Sequence, residues 1–470
     1  MSAALDIAGQ LARAEEFANG AKDTRRVPRL REIGEGPVRL PDPTTARVAV
    51  VGLGYVGLPL ACGFGQASRA IGLDIDAAKI DQLSNGHDDT GEVTTDELTG
   101  ASIDFSADPA VLAQADVIVV CVPTPVDAKN LPDYTPLVAA SRSIGRHMKR
   151  GAVVVYESTV DPGATEGRCL PVLEVESGLM EGHDFHLGYS PERINPADPS
   201  RRLTDIKKIV AGRTPEVTDF LVSLYGRVVK AGLFPADSIK VAEAAKILEN
   251  VQRDVNIALM NQMMELFDKM GIRASDVIAA ASSKWNFHNY RPGLVGGHCI
   301  AVDPYWLVDA GRRHGLAMEL VAASRSVNEH TAVFVAEKLE AMLAEIGEGI
   351  RGKRVLVLGR SFKENCPDTR NSKAYRLMDY LWARGADVFN FDPVAVDDHW
   401  EGGRGAEFID DPFAHGPFDA IVLTLGHDEF RANYKLDVLE KLATQGAPLI
   451  DLRGQHDSPA VHEHFAYWRP

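Results

Sequence analysis

The chain has 470 residues, of which 45% are hydrophobic and 25% are charged, and this balance is typical of a globular protein with two or three domains. Its 50 Lys and Arg residues against 66 Asp and Glu residues give a net charge of −16, which argues against a general nucleic-acid or anionic-membrane surface. The longest apolar runs, such as Val117 to Val122, are far too short to span a membrane, and the N-terminus lacks a signal pattern, so we expect a cytoplasmic protein.

Residues 1–45 precede the first strong strand pattern. They combine an Ala- and Glu-rich helical stretch, Leu11 to Ala18, with a basic segment that contains prolines, Arg25 to Pro43. This composition is typical of an extension that is poorly ordered or packs on another subunit, and we assign it no chemistry.

A glycine-rich turn follows the first predicted strand. The β-branched run Arg47 to Val51 leads into Gly52-Leu-Gly-Tyr-Val-Gly57, which is followed by a helix-compatible stretch from Leu58 to Gln66. A G-x-G-x-x-G pattern alone is a weak signal, and a glycine turn in a nucleotide-free domain is the alternative. Between a strand and a helix, however, it is typical of a dinucleotide-binding unit, in which the glycines let the pyrophosphate approach free amides at the helix N-terminus.

An acidic residue ends the second predicted strand, Arg69 to Leu73. Asp74 stands where a carboxylate would bind the ribose hydroxyls of adenosine and repel a 2′-phosphate, and the next two residues carry no positive charge. The sequence therefore predicts NAD rather than NADP, with Lys79 beside the ribose.

Strand-like and helix-compatible stretches then alternate, which predicts a mostly parallel, doubly wound sheet. Ligands of such sheets bind outside the carboxyl ends of the strands. Thr124, Thr159 and Glu192 follow three strand ends, so we expect them to face one crevice, although each alone is more typical of a turn or a cap. The predicted strands of this part are Ile103 to Phe105, Asp116 to Val122, Ala152 to Tyr156, His186 to Tyr189 and Lys207 to Val210.

One long helical pattern runs from about Asp237 to Met270 and is closed by Gly271. A helix of that length, roughly 50 Å at 1.5 Å per residue, usually links domains or builds a subunit interface. Lys246 and Asn250 lie four positions apart, hence on one face, where both could reach an oxygen of one ligand. A solvated helical lysine is the alternative for Lys246.

The segment Gly296 to Pro304 is the candidate active site. It reads Gly-Gly-His-Cys-Ile-Ala-Val-Asp-Pro, with Cys299 and Asp303 four positions apart behind two glycines that would let a ligand approach the backbone closely. A Cys packed as a small hydrophobe is the alternative. The five cysteines are odd in number and lack C-x-x-C spacing, which indicates reduced thiols and no zinc site.

A second βαβ-type unit begins at Arg351 to Leu358. Its glycine fingerprint is incomplete, but the loop that follows carries Lys363 and Arg370, the local positive charge that a diphosphate requires. The alternative is that Lys363 and Arg370 are ordinary surface cations. The remaining predicted elements are the helix Lys373 to Arg384 and the strands Val388 to Phe391, Ala420 to Leu423 and Pro448 to Leu452.

Together these motifs resemble the UDP-glucose/GDP-mannose dehydrogenase family from Arg47 to about Leu452. Within that family, Ser190 to Pro196, Lys284 to Phe287 and Gly293 to Cys299 resemble the branch that acts on UDP-N-acetylhexosamines for surface polysaccharides. The six ordered blocks that carry the resemblance are Gly52-Leu-Gly-Tyr-Val-Gly-Leu-Pro, Val122-Pro-Thr-Pro, Ser190-Pro-Glu-Arg, Ala245-Lys246 through Asn250, Gly296-Gly-His-Cys299 through Asp303-Pro, and Phe362-Lys through Asp368-Thr-Arg.

The resemblance implies a four-electron oxidation of the sugar C6 hydroxyl to a carboxylate with two NAD. Water held by Asp303 and Lys246 would assist removal of the first proton, and Cys299 would then form a thiohemiacetal and a thioester. Lys246 and Asn250 would stabilise the oxyanion. The implied catalytic residues are Cys299, Lys246, Asn250, Asp303, Glu192 and Thr124, of which the last two would orient the hydrolytic water.

The resemblance also assigns binding residues and an assembly. It implies a homodimer formed through the central helix, whereas composition and cysteine spacing, as described above, predict no metal, nucleic acid or membrane as a partner. The implied NAD-binding residues are Gly52, Gly54, Tyr55, Val56, Gly57, Asp74, Lys79, Thr124, Thr159 and Arg370. The implied UDP-sugar-binding residues are Glu192, Arg193, Asn195, Lys246, Asn250, Lys284, Arg291, Gly296 and Lys363.

The sequence thus predicts an α/β protein with two Rossmann-like, doubly wound domains joined by a long central helix. We expect an extension at 1–45, an NAD-binding domain at 46–234, a central helical and dimerisation segment at 235–346, and a UDP-sugar-binding domain at 347–470. The function that we expect is oxidation of UDP-GalNAc or UDP-GlcNAc. The alternatives are a UDP-glucose 6-dehydrogenase, a two-electron NAD dehydrogenase and a non-catalytic NAD-binding protein.

Overall fold

The computed structural model describes residues 36–194, 202–395 and 405–470. The expectation for residues 1–35 and the predicted substrate contact Asn195 lie outside the described residues. Within them, two sheets of mainly parallel strands stand on either side of a long central helix, so the predicted α/β class with two Rossmann-like domains is confirmed.

In the described part of the chain, the first sheet has eight strands in the order β3-β2-β1-β4-β5-β6-β7-β8. Its first six strands follow the 3-2-1-4-5-6 order of dinucleotide-binding sheets, whose ligands bind where the order reverses, here between β1 and β4. All neighbours are parallel except β6 and β7, which are antiparallel. The strands are β1 Val48–Val51, β2 Ala70–Leu73, β3 Ile103–Ser106, β4 Val117–Val120, β5 Val153–Tyr156, β6 His186–Tyr189, β7 Lys208–Gly212 and β8 Leu233–Pro235.

Helices cover both faces of this sheet, and their apolar sides pack on two clusters of buried side chains. The central strands β1, β4 and β5 are buried along their whole length, as the uninterrupted β-branched runs predict for a parallel sheet. The helices are α1 Gly57–Ala67, α2 Ala77–Ser84, α3 Thr95–Thr99, α4 Thr135–His147, α5 Leu170–Ser177 and α6 Pro215–Tyr225, with 3₁₀ turns at Pro109–Gln114 and Leu203–Asp205 and a π-helical turn at Thr165–Cys169.

The central segment is helical. Its main element, α7, spans Ile239–Lys269, is capped by the Ser238 side chain, and ends before Gly271, which adopts a positive φ of 71°. Along α7 lies the second long helix of the segment, so the two bury their facing sides against each other. The remaining helices are α8 Ala274–Ser282, α9 Asp303–Arg313 and α10 Glu319–Glu345.

The second sheet has, among the described residues, six parallel strands in the order β11-β10-β9-β12-β13-β14, which repeats the 3-2-1-4-5-6 order of the first. Its switch point lies between β9 and β12. The strands are β9 Arg354–Leu358, β10 Asp387–Phe391, β11 Glu407–Phe408, β12 Ala420–Leu423, β13 Pro448–Asp451 and β14 Ala466–Trp468, and the helices are α11 Lys373–Ala383, α12 Pro412–His415, α13 Asp428–Asn433, α14 Leu436–Leu442 and α15 Pro459–His464.

Candidate active site

The glycine turn between β1 and α1 forms a cradle at the switch point of the first sheet. Gly52 has a φ of 91°, and a β-carbon there would lie 2.9 Å from the carbonyl oxygen of Cys121. A β-carbon on Gly57 would lie 1.8 Å from the carbonyl oxygen of Gly52, so the turn closes only with glycine. A β-carbon on Gly54 would meet nothing within 4 Å, which leaves the backbone open where a pyrophosphate would approach.

Asp74 ends β2 beside this cradle. Its carboxylate accepts hydrogen bonds from the backbone N–H groups of Leu53, at 2.8 Å, and Asp76, at 3.0 Å. Asp76 caps α2 by accepting from the N–H groups of Ala78 and Lys79, which places Lys79 in the first turn of that helix. The carboxylate is therefore fixed at the strand end, and the glycine turn and the acid together fit NAD. Tyr55 and Val56 complete the turn and are half-buried.

Thr124 and Thr159 follow β4 and β5 at the carboxyl edge of the same sheet, and both are half-buried. The two loops are tied together because the hydroxyl of Ser158 donates a 2.6 Å hydrogen bond to the carbonyl of Val122. Both threonines therefore stand on the side of the sheet where the cofactor cradle lies.

The loop that carries Cys299 runs directly into α9. The backbone N–H groups of Val302 and Asp303 both donate to the carbonyl of Cys299, at 3.1 and 2.9 Å, so the thiol and the carboxylate belong to one turn. The preceding glycines make room for the C-terminal domain: a β-carbon on Gly296 would lie 2.8 Å from the carbonyl oxygen of Asn371, and one on Gly297 would lie 2.7 Å from the ring of Phe362. The close approach that we expected a ligand to make at these glycines is made by the protein itself.

Helix α7 presents three polar side chains to this turn. The side-chain amide of Asn250 donates a 2.5 Å hydrogen bond to Asp303, and the guanidinium of Arg253 donates to the amide oxygen of Asn250. Lys246, one turn earlier on the same face, is buried as well. Lys246 and Asn250 therefore meet Asp303 although more than fifty residues separate them in sequence.

Electrostatic interactions show that these groups converge on the thiol. Burial raises the pKa of Cys299, Lys246 and Arg253 oppose that rise, and Asp303 and Glu192 add to it. Burial likewise raises the pKa of Asp303 to about 6, against the opposing effects of Lys246, Asn250 and Arg253. The site thus holds a protonated thiol and a carboxylate that titrates near neutral pH, with two cations beside them.

Glu192 follows β6 and reaches the cluster from the first sheet. One carboxylate oxygen accepts from the backbone N–H groups of Arg193, at 2.6 Å, and Ile194, at 2.5 Å, which fixes the side chain. The side chain of Arg193 is paired with other groups, since its guanidinium donates to Glu249 at 3.1 Å and to the carbonyl of Lys207 at 2.7 Å.

The C-terminal domain closes onto the cofactor cradle through one arginine. The guanidinium of Arg370 lies 5.0 Å from the ring centroid of Tyr55 and makes a bidentate pair with Asp368 at 2.9 and 2.7 Å. Asp368 also lies 3.1 Å from the imidazole of His298. Although burial opposes it, the hydrogen bonds from His298 and Arg370 hold the pKa of Asp368 well below its usual range.

Four further predicted substrate contacts differ in burial. Lys363 is half-buried in the loop between β9 and α11, as is Gly296 at the domain contact. Lys284 and Arg291 are exposed on the segment between α8 and the Cys299 loop.

Sequence reasoning missed several functional candidates. Arg253 lies three positions after Asn250 and seven after Lys246, so its helical spacing was a usable signal. The buried pair Glu157 and Lys208, 2.7 Å apart behind Glu192, had no such signal because it depends on how strands pair. Within the described ranges, no three His, Cys, Asp or Glu side chains cluster as metal ligands, and no helix combines the length and apolar character needed to cross a membrane.

Comparisons with known proteins cover most of the chain. Three models of the UDP-glucose/GDP-mannose dehydrogenase family match it: the NAD binding domain at residues 46–229, the central domain at 240–330 and the UDP binding domain at 356–458. A UDP-N-acetyl-D-glucosamine 6-dehydrogenase of Pseudomonas aeruginosa is 46% identical over 87% of this chain and 96% of its own length. Protein CapL of Staphylococcus aureus is 43% identical over 90% of this chain and 99% of its own length. Among solved structures, a UDP-D-ManNAc dehydrogenase from Pyrococcus horikoshii superposes with a TM-score of 0.79 at 30% identity, covering 90% of this chain and 98% of that one.

Proposed function

The chain belongs to the UDP-glucose/GDP-mannose dehydrogenase family and is an NAD-dependent nucleotide-sugar dehydrogenase, and we propose that it oxidises the C6 hydroxyl of a UDP-N-acetylhexosamine to a carboxylate. The observation that carries the proposal is the convergence of Lys246, Asn250 and Asp303 on Cys299. A two-electron dehydrogenase has no need of a nucleophile, whereas a four-electron enzyme must hold its aldehyde until the second oxidation.

The cofactor site and the substrate site meet at the carboxyl edge of the first sheet. The glycine turn and Asp74 would hold NAD, which would accept the hydride from C6 in each of the two oxidations. In the first oxidation the proton of the C6 hydroxyl leaves through water held by Asp303 and Lys246. Asp303 suits this role because its pKa of about 6 leaves it ionised at neutral pH and still basic.

Cys299 then captures the aldehyde. Its sulfur bonds to C6, the thiol proton passes to Asp303, and the oxyanion that develops is stabilised by Lys246 and Asn250. The amide of Asn250 is already oriented, since Arg253 occupies its oxygen and its nitrogen faces Asp303. The second oxidation converts the thiohemiacetal to a thioester on Cys299.

Hydrolysis of that thioester releases the acid. Glu192, with Thr124, orients a water molecule and removes its proton as the water oxygen bonds to the acyl carbon. The carbon–sulfur bond breaks, and the electron pair returns to Cys299 as a thiolate, which Lys246 and Arg253 stabilise.

We propose UDP-GlcNAc or UDP-GalNAc as the substrate, for surface polysaccharide precursors. Support comes from the relatives, because two UDP-N-acetyl-D-glucosamine 6-dehydrogenases are 46% and 42% identical to this chain. Lys363 in the UDP binding domain would contact the diphosphate, as would the exposed Lys284 and Arg291 from the segment before the Cys299 loop. We place the enzyme in the cytoplasm, where NAD and UDP sugars are made and free thiols persist.

We further propose a homodimer built on α7. Four apolar residues of this helix, Val241, Leu248, Leu259 and Leu266, are exposed, and their spacing places them on one face. A stripe of this kind on a helix that also carries catalytic side chains fits an interface between two copies.

A substrate panel tests the proposed activity. The purified enzyme and NAD are mixed with UDP-GlcNAc, UDP-GalNAc or UDP-glucose, and the NADH and sugar products are quantified. We expect two NADH per uronic acid and the highest kcat/KM with an N-acetylhexosamine. A preference for UDP-glucose would reject the substrate, one NADH with a free aldehyde would reject the four-electron reaction, and NAD binding without turnover would favour a non-catalytic protein.

A further inference from the structure

A buried lysine lies between two buried carboxylates behind the candidate active site. The ammonium of Lys208 is 2.7 Å from Glu157 and 3.5 Å from Glu192, and the three side chains are 3%, 0% and 10% exposed. Lys208 also donates to the carbonyl of Pro191 at 3.3 Å. Buried ions are costly unless each is paired, so this cluster is not explained by packing alone.

The two carboxylates are held differently. Both oxygens of Glu157 are occupied, one by Lys208 and the other by the hydroxyl of Tyr225 at 2.5 Å. Glu192 has one oxygen fixed by two backbone amides, and among the described residues its other oxygen has only the long contact to Lys208. That second oxygen can accept a short hydrogen bond from water, whereas each oxygen of Glu157 already accepts a short one.

The antiparallel pairing of β6 and β7 creates this arrangement. Gly188 pairs with Gly212 and Tyr189 with Ala211, and the same register continued past Tyr189 brings Lys208 opposite Glu192. The hydroxyl of Ser190 supports the extension, since it donates to the carbonyl of Ile209 at 2.7 Å. A parallel β7 would have carried Lys208 to the other edge of the sheet, away from the active site.

We propose that Lys208 is a positioning residue for hydrolysis of the Cys299 thioester: it orients the free oxygen of Glu192 and supplies the positive charge beside that carboxylate, and Glu157 shares that charge. The inference rests on the proposed role of Glu192. In the step concerned, water adds to the acyl carbon, its proton goes to Glu192, and the carbon–sulfur bond breaks to leave the thiolate.

Charge balance explains why both partners of Lys208 are needed. Burial alone would lower the pKa of Lys208, but the two carboxylates, Glu157 and Glu192, hold this pKa above its usual value. Burial raises the pKa of Glu157, and Lys208 opposes that rise. Without Lys208, Glu192 would face a second buried carboxylate with no cation between the two. Without the charge of Glu157, Lys208 would pair with Glu192 alone. Among the described residues, the charged and titratable groups that interact with Glu192 include Lys208 on β7, Glu157 after β5, Cys121 after β4 and Cys299 in the α9 loop.

Rapid mixing of enzyme, NAD and UDP-GlcNAc separates oxidation from hydrolysis. For Lys208→Met we expect a burst of two NADH per subunit at close to the wild-type rate, then steady turnover slowed about 100-fold, with an acyl adduct on Cys299 in the intact mass. Lys208→Arg should recover part of the steady rate. Steady turnover of Lys208→Met within about twofold of the wild type would overturn the proposal.

Glu192→Gln separates this inference from the proposed function. It should trap the same adduct, and if it does not, the role assigned to Glu192 is wrong. If Glu192→Gln traps the adduct and Lys208→Met does not, only the role of Lys208 fails.

The pH profile of steady turnover distinguishes the proposed role of Lys208 from a merely structural one. We expect the acidic limb to move to higher pH in Lys208→Met and to lower pH in Glu157→Gln, because the two variants change the charge beside Glu192 in opposite directions. Glu157→Gln retains Lys208 and removes only the charge of Glu157, so it tests the proposal even if Lys208→Met does not fold. An acidic limb that is unchanged in Glu157→Gln, or that moves the same way in both variants, contradicts the proposal.

Discussion

The amide nitrogen of Asn250 donates a 2.5 Å hydrogen bond to the carboxylate of Asp303, and this bond joins the central helix to the first turn of α9. Both side chains are buried, and Arg253 fixes the amide by donating to its oxygen. Since Asp303 also shares a turn with Cys299, the helix face and the nucleophile loop form one rigid unit.

Replacing Cys299 by Ser should abolish acid formation but spare binding. The hydroxyl is a far weaker nucleophile than the thiolate, so the aldehyde is not captured, and we expect kcat for acid formation to fall by roughly 10³-fold or more. Isothermal titration should give NAD and UDP-sugar affinities close to those of the wild type.

Cys62→Ala is the matched control for this variant. Cys62 is another buried, unpaired cysteine, on α1, where burial raises its thiol pKa to about 12. Its replacement should leave acid formation within about twofold of the wild type. Acid production retained in Cys299→Ser would refute the covalent route.

The pKa of Asp303 should set the acidic limb of the kcat/KM profile. Burial raises this pKa to about 6, and the proposed role requires the ionised form, so activity should fall tenfold per pH unit below about pH 6. Asp303→Asn should lose most activity at every pH and show no such limb. A wild-type profile that stays flat down to pH 5 would be incompatible with this role.

The same carboxylate should make stability depend on pH. The native state binds the Asp303 proton up to about pH 6 and the unfolded state releases it near 3.8, so between these values the native state binds more protons. The free energy of unfolding therefore falls as pH rises through this window, on the order of 1 kcal/mol or more. Denaturant titrations at pH 4.5 and 7.5 should show this loss in the wild type relative to Asp303→Asn.

Much of the fold could be predicted because its signals are local. The buried β-branched runs and the glycine turn specify the first sheet, and the long apolar repeat specifies α7. The direction of β7 could not be read in the same way, because the run Lys207 to Val210 has the same alternation whichever way it points. The one hint was its connection from β6, which contains Pro196 and Pro199 and carries no helical pattern for a parallel crossover.

The residues of the candidate site likewise fall into two groups, one that local spacing predicts and one that it does not. Lys246, Asn250 and the missed Arg253 share a helical face, so spacing alone could group them. The cluster of Glu157, Lys208 and Glu192 arises from strand direction and register, which no local pattern records. The contact of Gly297 with Phe362 could not be predicted either, because Phe362 belongs to the other domain.

Arg370 should matter for the cofactor because it connects the two domains at the NAD cradle. Its guanidinium stacks on Tyr55 and pairs with Asp368, so Arg370→Ala should raise the KM for NAD about tenfold while changing the KM for the UDP sugar less. Arg370→Lys should recover little, since an ammonium cannot make the bidentate pair. Steady-state kinetics measure both constants.

A surface arginine of the same domain supplies the comparison. Arg384 directly follows α11 and pairs with Glu340 on the protein surface, and Arg384→Ala should leave both KM values unchanged. Equal effects of the two substitutions would show that charge loss in this domain, rather than contact with the cradle, raises the KM.

Leu248→Glu should separate the proposed dimer into monomers. Leu248 is 64% exposed near the middle of the apolar stripe on α7, so in a dimer the new carboxylate would be buried against a second apolar surface and against its own symmetry mate. We expect the dissociation constant to rise roughly 100-fold or more. Size-exclusion chromatography with light scattering across protein concentration measures the shift. Val175→Glu is the control, because Val175 is 68% exposed on α5, away from the stripe, and its replacement should not change the assembly state. If both variants elute as the wild type does, α7 is not the interface.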